Sequence, residues 1–268
     1  VPAGWNGISL PSKARFRAAT FTADRTLTPP QCVIGERFVQ GCRLCQLNVD
    51  GTLKTTEGPK FRRTAMELKL VDVNGDGRSD LVTAGGEIFL RGADGKLPDT
   101  ASLTLDRPYG DWTYLAVGDF NGDGKPHVAQ VGMQGLHVMT SVFYNTGDPR
   151  QPYHSVPDSE IDLGPELEPI RDGPTVADFT GDGIDDLILG HAQRQNIVII
   201  PGSKTGLDRA HSLHQKVDYR LHYDTKIGVL DLDGKRAKSI ADFGTSAVGA
   251  SGVYIRMPDV DRQEPSKQ

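Results

Sequence analysis

Short runs of β-branched, aromatic and aliphatic residues recur along this chain, each bounded by glycine or a polar cluster. Trp112–Val117 is one such run. Asp80–Ala84 is followed by Gly85-Gly86 and then by Glu87–Leu90. Further on, Asp186–Gly190 and Asn196–Ile200 repeat that pair. Runs of this kind, divided by turn residues, predict strands joined as hairpins. In Trp112–Val117, Tyr114 and Ala116 fall on one face and Leu115 and Val117 on the other. Both faces are apolar, so this strand is expected to be buried on both sides. No window of helical length sustains a 3.6-residue period. The expectation is an all-β chain with negligible helix.

The runs are punctuated by a repeat. Leu70–Val82, Val117–Ala129 and Val176–Ile188 align without gaps, and Val229–Ala241 is a worn fourth copy. The first Asp of each copy falls at 72, 119, 178 and 231. A period of roughly 50 residues with several strands per unit is the spacing of a propeller. Leu44–Leu53 resembles the strand and turn at Ile88–Leu97, so a degenerate unit is expected before the first full copy. The count is then about five units.

Each good copy contains Asp-x-Asn-Gly-Asp-Gly-x-x-Asp or a close variant. Short oxygen side chains stand at positions one, three and five. A backbone carbonyl at seven and a carboxylate at nine can complete a shell, and glycines at four and six let the chain curl around one point. Hard oxygen donors, about six or seven in number, suit Ca²⁺. Three carboxylates in nine residues would repel one another without a cation. An EF-hand shares the opening of this pattern but needs a bidentate Glu at position twelve and helical flanks. Position twelve here is Thr83, Gln130 or Leu189, and the flanks are strand-like. The EF-hand and the related dockerin are therefore rejected. An Asn-Gly or Asp-Gly turn with solvated acids explains one copy, not three in register.

These residues resemble FG-GAP/VCBS repeats, the units of integrin α-subunit propellers and of many bacterial secreted propellers, over roughly residues 65–255. The resemblance implies a β-propeller of four-stranded antiparallel blades, with about five units in a complete or an incomplete ring. The calcium loop would join the first two strands of a blade. Loops would lie on one face, with partners on the other. One domain is expected over 1–268: a degenerate first blade at 1–60, calcium-loop repeats at 61–258 and a polar tail at 259–268. The resemblance also implies the ligand sets. The first loop would use Asp72, Asn74, Asp76, the carbonyl of Arg78, and Asp80. The second would use Asp119, Asn121, Asp123 and the carbonyl of Lys125, weakened because position nine is His127. The third would use Asp178, Thr180, Asp182, the carbonyl of Ile184, and Asp186. In the fourth, Lys235 replaces the acid at position five, so Asp231 and Asp233 are expected to hold no ion. Two to three Ca²⁺ are expected in all.

Composition narrows the function. The net charge is −5 and no basic block occurs, which disfavours a nucleic-acid partner. No apolar stretch reaches the ~18 residues of a membrane span. The first residue is Val1, so a processed form, or a piece of a larger chain or complex, is expected. Cys32, Cys42 and Cys45 are an odd set: either Cys32 pairs with one of the other two, or all three are buried thiols. The Cys42–Cys45 spacing is C-x-x-C, but no second such pair and no βαβ pattern accompanies it. His211 and His214 lack the Glu of a zinc protease helix, and no G-x-S-x-G occurs. The leading expectation is a non-enzymatic, calcium-stabilised module that binds a protein or glycan outside the cell, in a periplasm or at a cell surface. The alternative is a propeller polysaccharide lyase or glycoside hydrolase, or an accessory domain of one. The segment from Asn145 to Pro174 reads as a long loop without strand pattern, and Tyr153, His154 and Arg171 are its expected contact residues.

Overall fold

A computed structural model of the chain describes residues 19–24, 31–36, 40–47, 53–63, 67–106, 109, 113–164, 173–191, 196–216, 225–231, 238–246 and 249–256. The fold is all-β and built of propeller-type blades. The first blade is formed by β1 (Ala19–Asp24), β2 (Gln31–Glu36), β3 (Cys42–Leu47) and β4 (Leu53–Glu57). The second contains β5 (Leu68–Val71), β6 (Asp80–Thr83), β7 (Glu87–Phe89) and β8 (Leu103–Thr104). The third contains β9 (Tyr114–Gly118), β10 (His127–Gln134), β11 (His137–Phe143) and β12 (Ser159–Gly164). The fourth contains β13 (Thr175–Ala177), β14 (Asp186–His191), β15 (Asn196–Ile200) and β16 (Leu213–Lys216). A last sheet holds β17 (Thr225–Asp231), β18 (Lys238–Ser246) and β19 (Gly249–Arg256). In every sheet the strands stand in chain order, and the pairings are antiparallel. A single turn of 3-10 helix, Arg209–His211, is the only helix among the described residues.

The chain divides into two compact units. One comprises 1–117 and 125–162, the other 118–124 and 163–268. In the first, β6 and β7 are buried along their whole length. One face of the second blade packs Leu68, Leu81 and Phe89 against Val33 and Phe61. Its other face packs Val82, Ala84 and Ile88 against Leu115, Val128 and Phe143 of the third blade. In the second unit, Leu187, Ile188 and Ile197–Ile200 are likewise buried.

The segment from Asn145 to Pro174 departs from its sequence reading. It carries β12, whose burial alternates so that Ile161 and Leu163 face inward. Two apolar positions among Pro, Asp and Glu were too few to stand out, yet they suffice for an edge strand with one buried face. Residues 232–237, which hold most of the worn fourth loop including Asp233 and Lys235, lie outside the described residues.

Candidate calcium loops

Each good loop joins the first two strands of a blade, as the resemblance implies: Asp72–Asp80 between β5 and β6, Asp119–His127 between β9 and β10, Asp178–Asp186 between β13 and β14. Strands on both flanks uphold the rejection of the EF-hand. The boundary between the two compact units falls inside the second loop, after Gly124.

The first Asp organises each loop by accepting backbone N–H groups. Asp72 Oδ1 accepts from Gly75 (2.8 Å) and Asp76 (3.1 Å), and its Oδ2 accepts from Gly77 (2.7 Å). Asp178 repeats this with Gly181 (2.7 Å), Asp182 (3.1 Å) and Gly183 (3.2 Å). Asp119 accepts from Asp123 (3.0 Å) and Gly124 (2.8 Å). Side chains at positions three and five add further turns: Asn74 accepts from the N–H of Asp76, Asn121 from Asp123, Asp76 from Arg78, and Asp182 from Ile184. These are Asx turns in series. They need left-handed backbone, and Gly77 (φ 81°) and Gly183 (φ 88°) supply it. A Cβ at either would meet nothing within 4 Å, so backbone torsion rather than crowding selects glycine there.

Position nine has a role that the sequence did not disclose. Asp80 and Asp186 are fully buried. Asp80 accepts the N–H of Val73 (3.0 Å) and of Arg91 (2.7 Å), the residue two beyond β7. Asp186 accepts from Phe179 (2.7 Å), Thr180 (2.8 Å) and Gly202 (2.9 Å), the last again two beyond the third strand. His127, also fully buried, takes the same place with a ring nitrogen: its Nδ1 accepts the N–H of Asn145 (3.0 Å), two beyond β11. Its ring meets Tyr144 edge-on, with centroids 5.0 Å apart. Position nine thus clamps the loop to the exit of the blade's third strand, and His127 preserves that clamp where a carboxylate is lost.

The donor set fits a hard cation. Burial pushes the Asp80 carboxyl up to about 6. The N–H groups of Arg91 and Val73 pull the other way, and nearby Asp76 and Asp72 add repulsion. Burial likewise raises Asp186, opposed by its three backbone donors and aggravated by Asp182. A divalent ion would relieve this crowding of negative charge. In the first loop a side chain partly does so: Arg78 donates from its guanidinium to Asp76 Oδ2 at 2.6 Å.

The expected partner contacts fare differently. Tyr153 is buried in the core of the first unit, and its hydroxyl donates to the Pro126 carbonyl at 2.6 Å, so it is no surface contact. His154 is exposed and paired with Asp158 at 2.9 Å. Arg171 lies outside the described residues. His211 pairs with Asp208 rather than with a metal-binding neighbour. A groove of about 300 Å³ in the first blade is lined by Gln40, Arg43, Glu57 and Lys60 together with the apolar Ile34 and Cys42.

Residues 72–129, the first loop through the second, match the FG-GAP-like repeat family. The chain carries an FG-GAP-like repeat. That repeat spans the second blade from its loop onward and ends inside β10 of the third. No curated protein matches the chain. Among solved structures it is similar to the Tc holotoxin pore of Photorhabdus luminescens, with 20% identity over 92% of this chain and 11% of that chain, at a TM-score of 0.47. It is also similar to a streptogramin B lyase, with 12% identity over 92% of this chain and 72% of that one, at a TM-score of 0.48. A rhamnogalacturonan lyase of Bacillus licheniformis matches with 12% identity over 86% of this chain and 49% of that one, at a TM-score of 0.44. No helix among the described residues is long and apolar enough to cross a membrane.

Proposed function

We propose that this chain is a calcium-stabilised binding module without catalytic activity. The observation that carries the reading is the repeated cradle, in which the first Asp of each loop gathers the N–H groups of the residues that follow it. That arrangement fixes the backbone so that its acidic side chains crowd one loop. Asp72, Asn74, Asp76 and Asp80 with the Arg78 carbonyl would hold one ion. Asp178, Thr180, Asp182 and Asp186 with the Ile184 carbonyl would hold another. Asp119, Asn121, Asp123 and the Lys125 carbonyl would hold a weaker third. The ion supplies charge neutralisation and rigidity at the first hairpin of the blade, with no chemical step.

Sites of this kind fill where calcium is plentiful, so on this proposal the protein works outside the cell, in a periplasm or on a cell surface. The ligand is a protein or a glycan. The groove beside Gln40, Arg43, Glu57 and Lys60 offers both charges and an amide for such a polar partner. Calorimetric titration of chelator-treated protein with Ca²⁺ tests the metal reading: two stronger sites and one weaker are expected, and no binding at millimolar calcium sinks it. Incubation with a polysaccharide panel tests the rest, since a binding module retains ligand and releases no shortened product.

A further inference from the structure

The three cysteines are thiols in this structure, and the first blade sorts them by face. Cys42 and Cys45 share strand β3, which is extended. Three residues of strand span about 10 Å, and an odd spacing puts the two side chains on opposite faces. The C-x-x-C therefore cannot close on itself or grip one metal ion. Cys42 packs with Leu44 toward the cluster of Val33 and Phe61. Its Sγ stands against the Pro59 carbonyl at 3.9 Å, and Gly58 crosses so close that a Cβ there would come within 2.7 Å of the sulfur.

Cys45 faces the other way. In the β2–β3 ladder its direct partner is Cys32. The two side chains pack together, and Ile34, next on the same face of β2, completes a small buried cluster with them. Directly opposed residues of an antiparallel pair have Cα atoms about 4.5–5.5 Å apart, within the roughly 4.4–6.8 Å that a disulfide spans. We infer that Cys32 and Cys45 form a cross-strand disulfide when the chain folds under oxidising conditions, and that Cys42 stays a thiol.

The reaction needs an oxidant, and a small-molecule or carrier disulfide supplies it. One cysteine thiolate attacks the carrier disulfide, forming a mixed disulfide and releasing the first carrier thiolate. The second cysteine sulfur attacks the mixed disulfide and expels the other carrier thiolate. The Cys32–Cys45 bond forms, the carrier bond breaks, and the two cysteine protons end on the two carrier thiols. Timing follows from burial. Within the folded blade, burial and the Cys32 neighbour push the Cys45 thiol up to about 12, so little thiolate is present to attack. Closure belongs to folding, before the sheet covers the pair. Once made, the bond is shielded from reductant by the same burial. This inference is independent of the calcium reading.

Trypsin separates the three cysteines, because Arg37 and Arg43 lie between them. The test is to refold the reduced chain from denaturant in a mixture of oxidised and reduced glutathione, alkylate in denaturant, and map the peptides without reduction. The expected result is residues 26–37 joined to 44–54, two hydrogens lighter than the separate peptides, with Cys42 recovered as a free peptide. The Cys42→Ser variant is expected to give the same joined pair. A link that includes Cys42, or recovery of Cys32 and Cys45 both alkylated, overturns the inference.

Discussion

The Asp185 carboxylate accepts the backbone N–H of Asp119 at 2.8 Å, while the Asp185 N–H donates to the Asp119 carbonyl at 3.0 Å. A residue of the third loop thus grips the first residue of the second, 66 positions earlier. Ser203 adds an N–H to the Phe120 carbonyl at 3.3 Å, and Lys204 donates its ammonium to the Gly122 carbonyl at 3.1 Å. The third loop is therefore both a candidate ion site and a grip on the second.

Asp185→Ala removes that grip while leaving every candidate ligand of the third loop in place. A hydrogen bond to a charged group is worth about 1.5–3 kcal/mol. Denaturant unfolding is expected to show a loss of that order, equal in calcium and in chelator. Asp185→Asn keeps an acceptor oxygen and loses less. A loss that vanishes in chelator would make Asp185 part of the ion site instead.

The position-nine clamp predicts that His127 matters to stability although it suits a hard cation poorly. His127→Ala strands the buried N–H of Asn145, a penalty of about 1–3 kcal/mol, plus the loss of ring packing against Tyr144. The measurement is urea unfolding in chelator, where no metal effect contributes. A variant as stable as wild type would show that the clamp is incidental.

The three loops were legible because their chemistry is contiguous: nine residues hold the carboxylates, the amide and the glycines together. The strands were legible from their apolar runs, and the loops join the strands that the repeat implied. What escaped the sequence involves distant partners. Asp185 gave no signal in the sequence, because its partner is a backbone N–H that any residue could offer. Tyr153 read as a contact in a polar loop, because nothing near it shows that the Pro126 carbonyl waits for its hydroxyl. The clamp at position nine is invisible for the same reason, since its donors two beyond the third strand are Arg91, Asn145 and Gly202, three unrelated residues.

Arg78 competes with the ion for Asp76. Its guanidinium stands 2.6 Å from Asp76 Oδ2, with both side chains partly exposed. Such a pair is worth about 0–1 kcal/mol, so Arg78→Ala is expected to tighten calcium at the first loop by up to about fivefold. Its backbone carbonyl, the expected ligand, remains. Titration calorimetry of the variant reads the change, and weaker binding would show that the guanidinium supports the site rather than competing for it.

Melting curves of wild type and Asp76→Ala, each with calcium and with chelator, test the central claim most directly. A ligand at a hundredfold excess over its Kd stabilises by about 2.7 kcal/mol per site. Wild type is expected to lose stability on chelation, and Asp76→Ala to lose less, because the position-five carboxylate of the most complete loop is gone. Equal sensitivity to chelator in both proteins, or none in wild type, would make the Asp72–Asp80 loop a turn and nothing more.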